Sequence, residues 1–173
     1  KECLLHEGIF CALVSHGSST VPQYIVKEIN ALGGTITNAY GIPKDQLKEV
    51  SKLGIAKINV DTDIRLAVTR NLRELFWYHP ELRDHESIKP IYELLQTKTS
   101  DFDPRVFLTP IMDTVMYGVV PNEDVALIVT AIEKGVKEAV GTLIVDFDSY
   151  GKAPLVENVT LDEMAERYRK AGI

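Results

Sequence analysis

The apolar residues of this chain fall into two kinds of block, and the two kinds alternate. Ile9 to Ser15 (IFCALVS) is a nearly unbroken apolar run without the every-second-residue rhythm of a half-exposed strand, which predicts a strand buried on both faces. Thr20 and Pro22 then offer a helix start. Ile25, Val26, Ile29 and Leu32 recur at helical spacing until Gly33-Gly34 breaks the pattern. A second round follows. IPKDQLKEVSKLG predicts a shorter amphipathic helix stopped by Gly54, IAKINVD a second strand, and TDIRLAVTRNLRELFWYHP a helix with Ile64, Val68, Leu72 and Leu75 inward. Strand, loop, helix, repeated, is the order of parallel α/β folds, whose ligands sit at the C-terminal ends of the strands.

Beyond Pro80 the pattern is helical and less regular. SIKPIYELLQTK predicts a short helix, and DFDPRVFLTP a turn that opens another. Asn122 can cap a long helix carrying Val125, Ile128, Ile132, Val136 and Val140 inward and stopping near Gly141. TLIVDF reads equally as a strand or a buried connector. Thr160 and Glu163 have the spacing of a capping box for a last helix through Tyr168. There is no internal repeat and no low-complexity linker.

Composition narrows the class. The 173 residues are 45% hydrophobic and 25% charged, the profile of a globular chain that forms one domain or a large piece of a bigger one. The net charge of −6 argues against a nucleic-acid surface. No apolar run approaches the roughly 20 residues of a membrane helix. The opening KECLLHEGIF has no long apolar segment with a small-residue cleavage site, so no signal peptide is expected. Cys3 and Cys11 form neither a disulfide framework nor a CxxC pair, which fits a reducing, cytoplasmic setting.

Both strands run into residues that can do chemistry. The first ends in His16, Gly17, Ser18, Ser19 and Thr20, the second in Asn59, Asp61, Thr62, Asp63 and Arg65. In a parallel sheet these two ends share a face and can border one pocket. Backbone N–H groups in glycine- and hydroxyl-rich turns before helices bind phosphate, and a neutral imidazole is a common zinc ligand. Read on its own, however, a strand-end histidine is more often simply hydrogen-bonded, and Asp61 or Asp63 is as readily a helix cap.

Taken together and in order, LVSHGSSTVP, YGIPKDQLKEVSKLGIAKINVDTDIRLAVT and FDPRVFL strongly resemble the class II fructose-bisphosphate aldolases, from about Ile9 to Pro80 and again from Asp101. The ending VTLDEMAERYRKAG is similar to a C-terminal helix found in part of that family. The resemblance implies a zinc-dependent (β/α)8 barrel of the α/β class. This chain would be its C-terminal part, strands seven and eight with their helices plus a helical extension. It implies that His16 is one of three histidines on a catalytic Zn2+. Gly17 and Ser19 would hold the phosphate of dihydroxyacetone phosphate, with nearby carbonyls able to take a monovalent cation, Na+ or K+. Asn59, the catalytic residue contributed here, would hydrogen-bond the substrate's hydroxyl or enediolate oxygen. Asp61 and Thr62 would complete the phosphate cradle. Arg65 and Arg105 would reach the second phosphate, Arg65 across a subunit interface of a homo-oligomer, a dimer or tetramer. The implied substrate is fructose 1,6-bisphosphate, cleaved reversibly to dihydroxyacetone phosphate and glyceraldehyde 3-phosphate in glycolysis and gluconeogenesis.

The resemblance is incomplete in two ways. The family's H-x-D-H-type motif, which carries the base and a zinc ligand, has no counterpart, and His6, His79 and His85 lie outside any such pattern. The expected organisation is therefore two β/α units over 1–80, an insertion over 81–100 and a C-terminal helical region over 101–173. The N-terminal part of the barrel would be a partner, and the chain by itself is expected to be inactive. The extra residues before Asp101 put the reach of Arg105 in question, and residues 111–138 also exceed the family's usual length. Two other readings stay open. One is tagatose 1,6-bisphosphate as substrate; the other is a non-catalytic phosphate-binding or assembly module.

Overall fold

The computed structural model describes residues 2–9 and 11–172. In chain order it contains α1 (Glu2–His6), β1 (Leu13–Ser15), α2 (Gln23–Ala31), α3 (Lys44–Lys52), β2 (Ile55–Ile58) and α4 (Thr62–Tyr78). These are followed by α5 (Lys89–Thr97), α6 (Pro104–Phe107), α7 (Met112–Tyr117), α8 (Glu123–Asp146) and α9 (Leu161–Lys170), with short 3-10 turns between some of them. The result is a helix-dominated α/β chain around a small parallel sheet. β1 and β2 pair in parallel, Val14 opposite Lys57 and Ser15 opposite Ile58, with an irregularity after Leu13. The Asn59 N–H donates to the Ser15 carbonyl at 3.0 Å, so the ladder continues to the point where His16 and Asn59 leave the strands side by side.

The first strand is shorter and wetter than its sequence predicts. Only Leu13–Ser15 of the run 9–15 is strand, Phe10 lies outside the described residues, and Val14 is 46% exposed. Burial on both faces requires neighbours on both, and this two-stranded sheet is flanked by one strand partner and by helices on part of its surface.

α4 is the central element. Its start packs with α2 around Ile25, Val26, Ile29, Leu66 and Ala67. Its second half joins Leu82, Ile88, Ile91, Leu95, Phe107, Leu108 and Ile111 in a second core, closed by Val125 and Ile128 of α8. Contacts on several sides widen its buried stripe. Leu66, Ala67 and Phe76 join Val68 and Leu72 in full burial, while Ile64 and Leu75 are only half-buried. The segment after Pro80 is therefore a packed elaboration over the far end of α4.

α8 departs most from expectation. It runs through Gly141 and through TLIVDF to Asp146, so that stretch is neither a strand nor a connector. A helix-interior glycine costs only about 1 kcal/mol, too little to end a helix held along its length by α4. The face turned to α4 carries Val125, Ile128, Ala131, Gly135 and Ala139, whereas Val136 and Val140 are each 37% exposed. At Gly135 a Cβ would stand 2.7 Å from the Val68 Cα, so the two helices cross at a point where only glycine fits. Asn122 caps α8 as its sequence predicts, its side chain accepting the Val125 N–H at 2.9 Å. α9 buries no residue and starts with the capping box of Thr160 and Glu163. Among the described residues no helix is long and apolar enough to cross a membrane.

Candidate active site at the strand ends

The parallel pairing sets His16 beside Asn59. The Asn59 amide donates to the His16 Nδ1 at 3.1 Å, on an exposed rim. Gly17 follows at φ +66, the left-handed region that glycine enters without strain, and a Cβ there would meet nothing within 4 Å. Ser18 is fully buried and hydrogen-bonds the Ser15 hydroxyl, fixing the turn from below.

Two hydrogen-bond sets lock the loops after β1 and β2 together. The Ser19 Oγ accepts the Asp61 N–H at 3.2 Å and the Thr62 N–H at 3.0 Å. Asp63, 4% exposed, accepts the Thr20 N–H at 3.0 Å, the Thr20 hydroxyl at 2.8 Å and the Val21 N–H at 2.8 Å. Val21 has φ +50, which is strained for a β-branched residue. The carboxylate holds it there. On sequence alone Asp63 reads either as a strand-end residue able to do chemistry or as a helix cap. The signal for its inward role is its place one turn before buried Leu66 and Ala67, on the covered face of α4.

The basic residues converge through an acid. Arg65 grips Asp61 with two nitrogens, the Nε bond being 2.9 Å, and donates its Nη1 to Asp103 at 2.9 Å. Asp103 caps α6 by accepting the Arg105 N–H at 3.0 Å and also takes the Arg105 Nε at 3.0 Å. The Arg105 guanidinium hydrogen-bonded to it holds the Asp103 carboxyl below its ordinary range, and Asp103 in turn raises Arg105. The elaboration before Asp101 thus leaves Arg105 next to Arg65. Arg65 itself meets Asp103 of its own chain.

A cavity of about 430 Å3 lies elsewhere, between α2, the 40–44 loop, α4 and α8, and neither His16 nor Asn59 lines it. A catalytic zinc takes three protein ligands and an open position. Among the described residues no group of three or more histidine, cysteine or acidic side chains is placed to hold a metal. The exposed His16 imidazole can serve as one ligand, so the residues present do not complete a zinc site by themselves.

The sequence profile of the family Fructose-bisphosphate aldolase class-II matches residues 3–152. The chain belongs to that family. It is 33% identical to the fructose-bisphosphate aldolase of Xanthobacter flavus over 156 residues, which are 90% of this chain and 33% of that protein. It is 32% identical to fructose-bisphosphate aldolase 2 of Cereibacter sphaeroides over 161 residues, 93% of this chain and 34% of the relative. A Thermus caldophilus fructose-bisphosphate aldolase is 40% identical over 103 residues, 60% of this chain and 28% of the relative. The chain therefore spans about a third of the length of these aldolases. The family match covers both strands, the joined loops and Arg105, and ends before α9.

Proposed function

We propose that this chain carries the phosphate-binding half of a class II aldolase site, together with one ligand for its zinc. As the C-terminal portion of a (β/α)8 barrel, it would serve the reversible aldol cleavage of fructose 1,6-bisphosphate. The observation that supports this most directly is the seam at the strand ends. His16 and Asn59 touch there, and Ser19 gathers the first amides of α4 beside them.

Each side chain has a task that its surroundings allow. Ser19, with two amide donors on its oxygen, has its own O–H left to donate to a phosphate oxygen. Gly17 turns the chain so that its backbone borders the same space, and the α4 N-terminus adds a positive dipole end. Asn59 can shift its amide from His16 to a substrate oxygen at hydrogen-bond range. Arg65 and Arg105 already bracket one carboxylate. A phosphate at the far end of the sugar would compete with Asp103 for the two forks, in the paired geometry that guanidinium and phosphate favour. His16 would be one of three zinc ligands, the others coming from residues outside this chain. Zinc, when bound, supplies Lewis-acid polarisation of a carbonyl.

The test is His16→Ala in the native protein, read by metal analysis and an aldol-cleavage assay together. Zinc content and turnover should fall in parallel. Retained zinc with most of the activity would make His16 a structural histidine and end this reading. Tight phosphate binding without any cleavage by the complete wild-type assembly, with the rest of the barrel present, would favour a phosphate-binding module instead.

A further inference from the structure

At the opposite end of α4 from the strand seam, a second basic site is built into the interior. Arg73 is 3% exposed, and its Nη2 donates to the Leu95 carbonyl at 3.0 Å. Its Nε and Nη1 are buried without a hydrogen-bond partner. Its guanidinium stands 6.0 Å from the Phe107 ring centre, and among the described residues it forms no ion pair. Burial lowers its pKa from the ordinary arginine value.

Arg73 lines a cavity of about 140 Å3 between the end of α2, α4 and α5. Arg83 lines the same cavity. Its Nε donates to the Phe76 carbonyl at 2.9 Å and its guanidinium lies over Tyr92 at 5.4 Å, so its terminal nitrogens stay available. The wall also carries the Gln96 amide, and on the α2 side Gly33, where a Cβ would come 3.9 Å from the Arg73 Nη1. Among the described residues no acidic side chain lines it.

Burying an unpaired charge costs several kcal/mol, and here buried Arg73 and half-buried Arg83 line one cleft with no carboxylate among the described residues to answer them. We infer that this cavity is a binding site for a small free oxyanion, a single phosphate or carboxylate group held between Arg73 and Arg83. At about 140 Å3 the cavity has room for a tetrahedral oxyanion or a short carboxylate beside the two guanidiniums. A small shift of the Arg73 guanidinium toward the cavity would bring its buried, orphaned Nη1 onto the bound ion as a charge-assisted donor. It would also tie α5 and the turn carrying Arg83 to α2 and α4. The inference does not depend on the strand-end site.

The test uses the native protein with inorganic phosphate and, separately, acetate, each matched to chloride at constant ionic strength. Thermal unfolding should shift upward with at least one of the two anions. Arg83→Gln, at a half-buried position that the fold tolerates, should weaken the apparent affinity of that stabilisation about tenfold or more. Arg73→Gln should abolish it if the variant folds. A selenate-soaked crystal should place an anomalous peak within hydrogen-bond distance of the Arg73 Nη1. The inference is overturned if the shift is the same in Arg83→Gln as in wild type, which would assign the anion to the strand ends. It is equally overturned if neither anion acts and the cavity holds only water or a carboxylate from another part of the protein.

Discussion

A serine oxygen that accepts two amide N–H groups keeps only its proton to offer a ligand, and Ser19 is in that state. Ser19→Ala should therefore remove one donor from a cradle that retains its amides. The expected loss is about 1–3 kcal/mol of substrate binding, roughly 5- to 150-fold in KM, with kcat much less affected. Steady-state kinetics would check this, and an equal fall in kcat would mean that Ser19 acts in the reaction itself. Asp63 is a different case, because its three donors hold two loops rather than a ligand. In Asp63→Asn one of them must face an amide NH2 group, so about 1–3 kcal/mol of folding stability should be lost in urea titration. Asp103 supplies the pH signature. Its carboxyl is held below its ordinary value of 3.8 by Arg105, so its contribution is fully present above that value and fades as pH falls below it. The stability gap between wild type and Asp103→Asn should accordingly narrow on acidification below about pH 4; a gap that stays constant would mean that Asp103 acts only as an uncharged cap. His16 and Asn59 could be anticipated because strand ends are visible in an apolar pattern. The inward turn of Asp63 could not, because a carboxylate at a helix start reads as a cap unless the covered face of that helix is known.

At the scale of elements, α8 provides paired glycines with opposite expectations. A Cβ on Gly135 would strike the backbone of α4, at 2.7 Å from the Val68 Cα, whereas one on Gly141 would meet nothing within 4 Å. Gly135→Ala should destabilise by about 1–3 kcal/mol as the helices are forced apart. Gly141→Ala should stabilise by up to about 1 kcal/mol through helix propensity alone. Thermal denaturation of the two variants side by side would decide it; equal effects would show that α8 does not cross α4 at Gly135. The same comparison explains a misread helix. The every-third-or-fourth spacing of Val125, Ile128, Ile132, Val136 and Val140 is real, but close approach selects the small residues Ala131, Gly135 and Ala139 for the contact and leaves two of the valines outside. Caps were more legible than faces. Asn122, and Thr160 with Glu163, act locally, through side chains that bond the backbone three residues away.

For the whole molecule, local grammar made the order of elements readable, while completeness of the site depends on what stands beside the sheet. Helix starts, glycine stops and the β-α repeat are written within a few residues of one another. Burial of β1 is not: Val14 is 46% exposed, and among the described residues β2 is the one strand paired with β1. The proposed zinc site poses the same question in chemical form. His16 offers one imidazole, and among the described residues no cluster supplies two more ligands. The proposed phosphate recognition, in contrast, rests on the Ser19 hydroxyl and the start of α4, both within this chain. The two functions should therefore separate when the 173-residue chain is produced alone. It should leave gel filtration with far less than one zinc per chain and show no cleavage of fructose 1,6-bisphosphate, while phosphate still perturbs the Ser19 and Thr62 amide signals in NMR. Adding a polypeptide that supplies the two missing ligands and a carboxylate base should restore zinc retention and cleavage together, since the metal holds no open catalytic position until its three protein ligands are in place. A chain that by itself retained one zinc and cleaved the bisphosphate would show that the full ligand set lies within these residues, and the division of the site proposed for His16 would have to be abandoned.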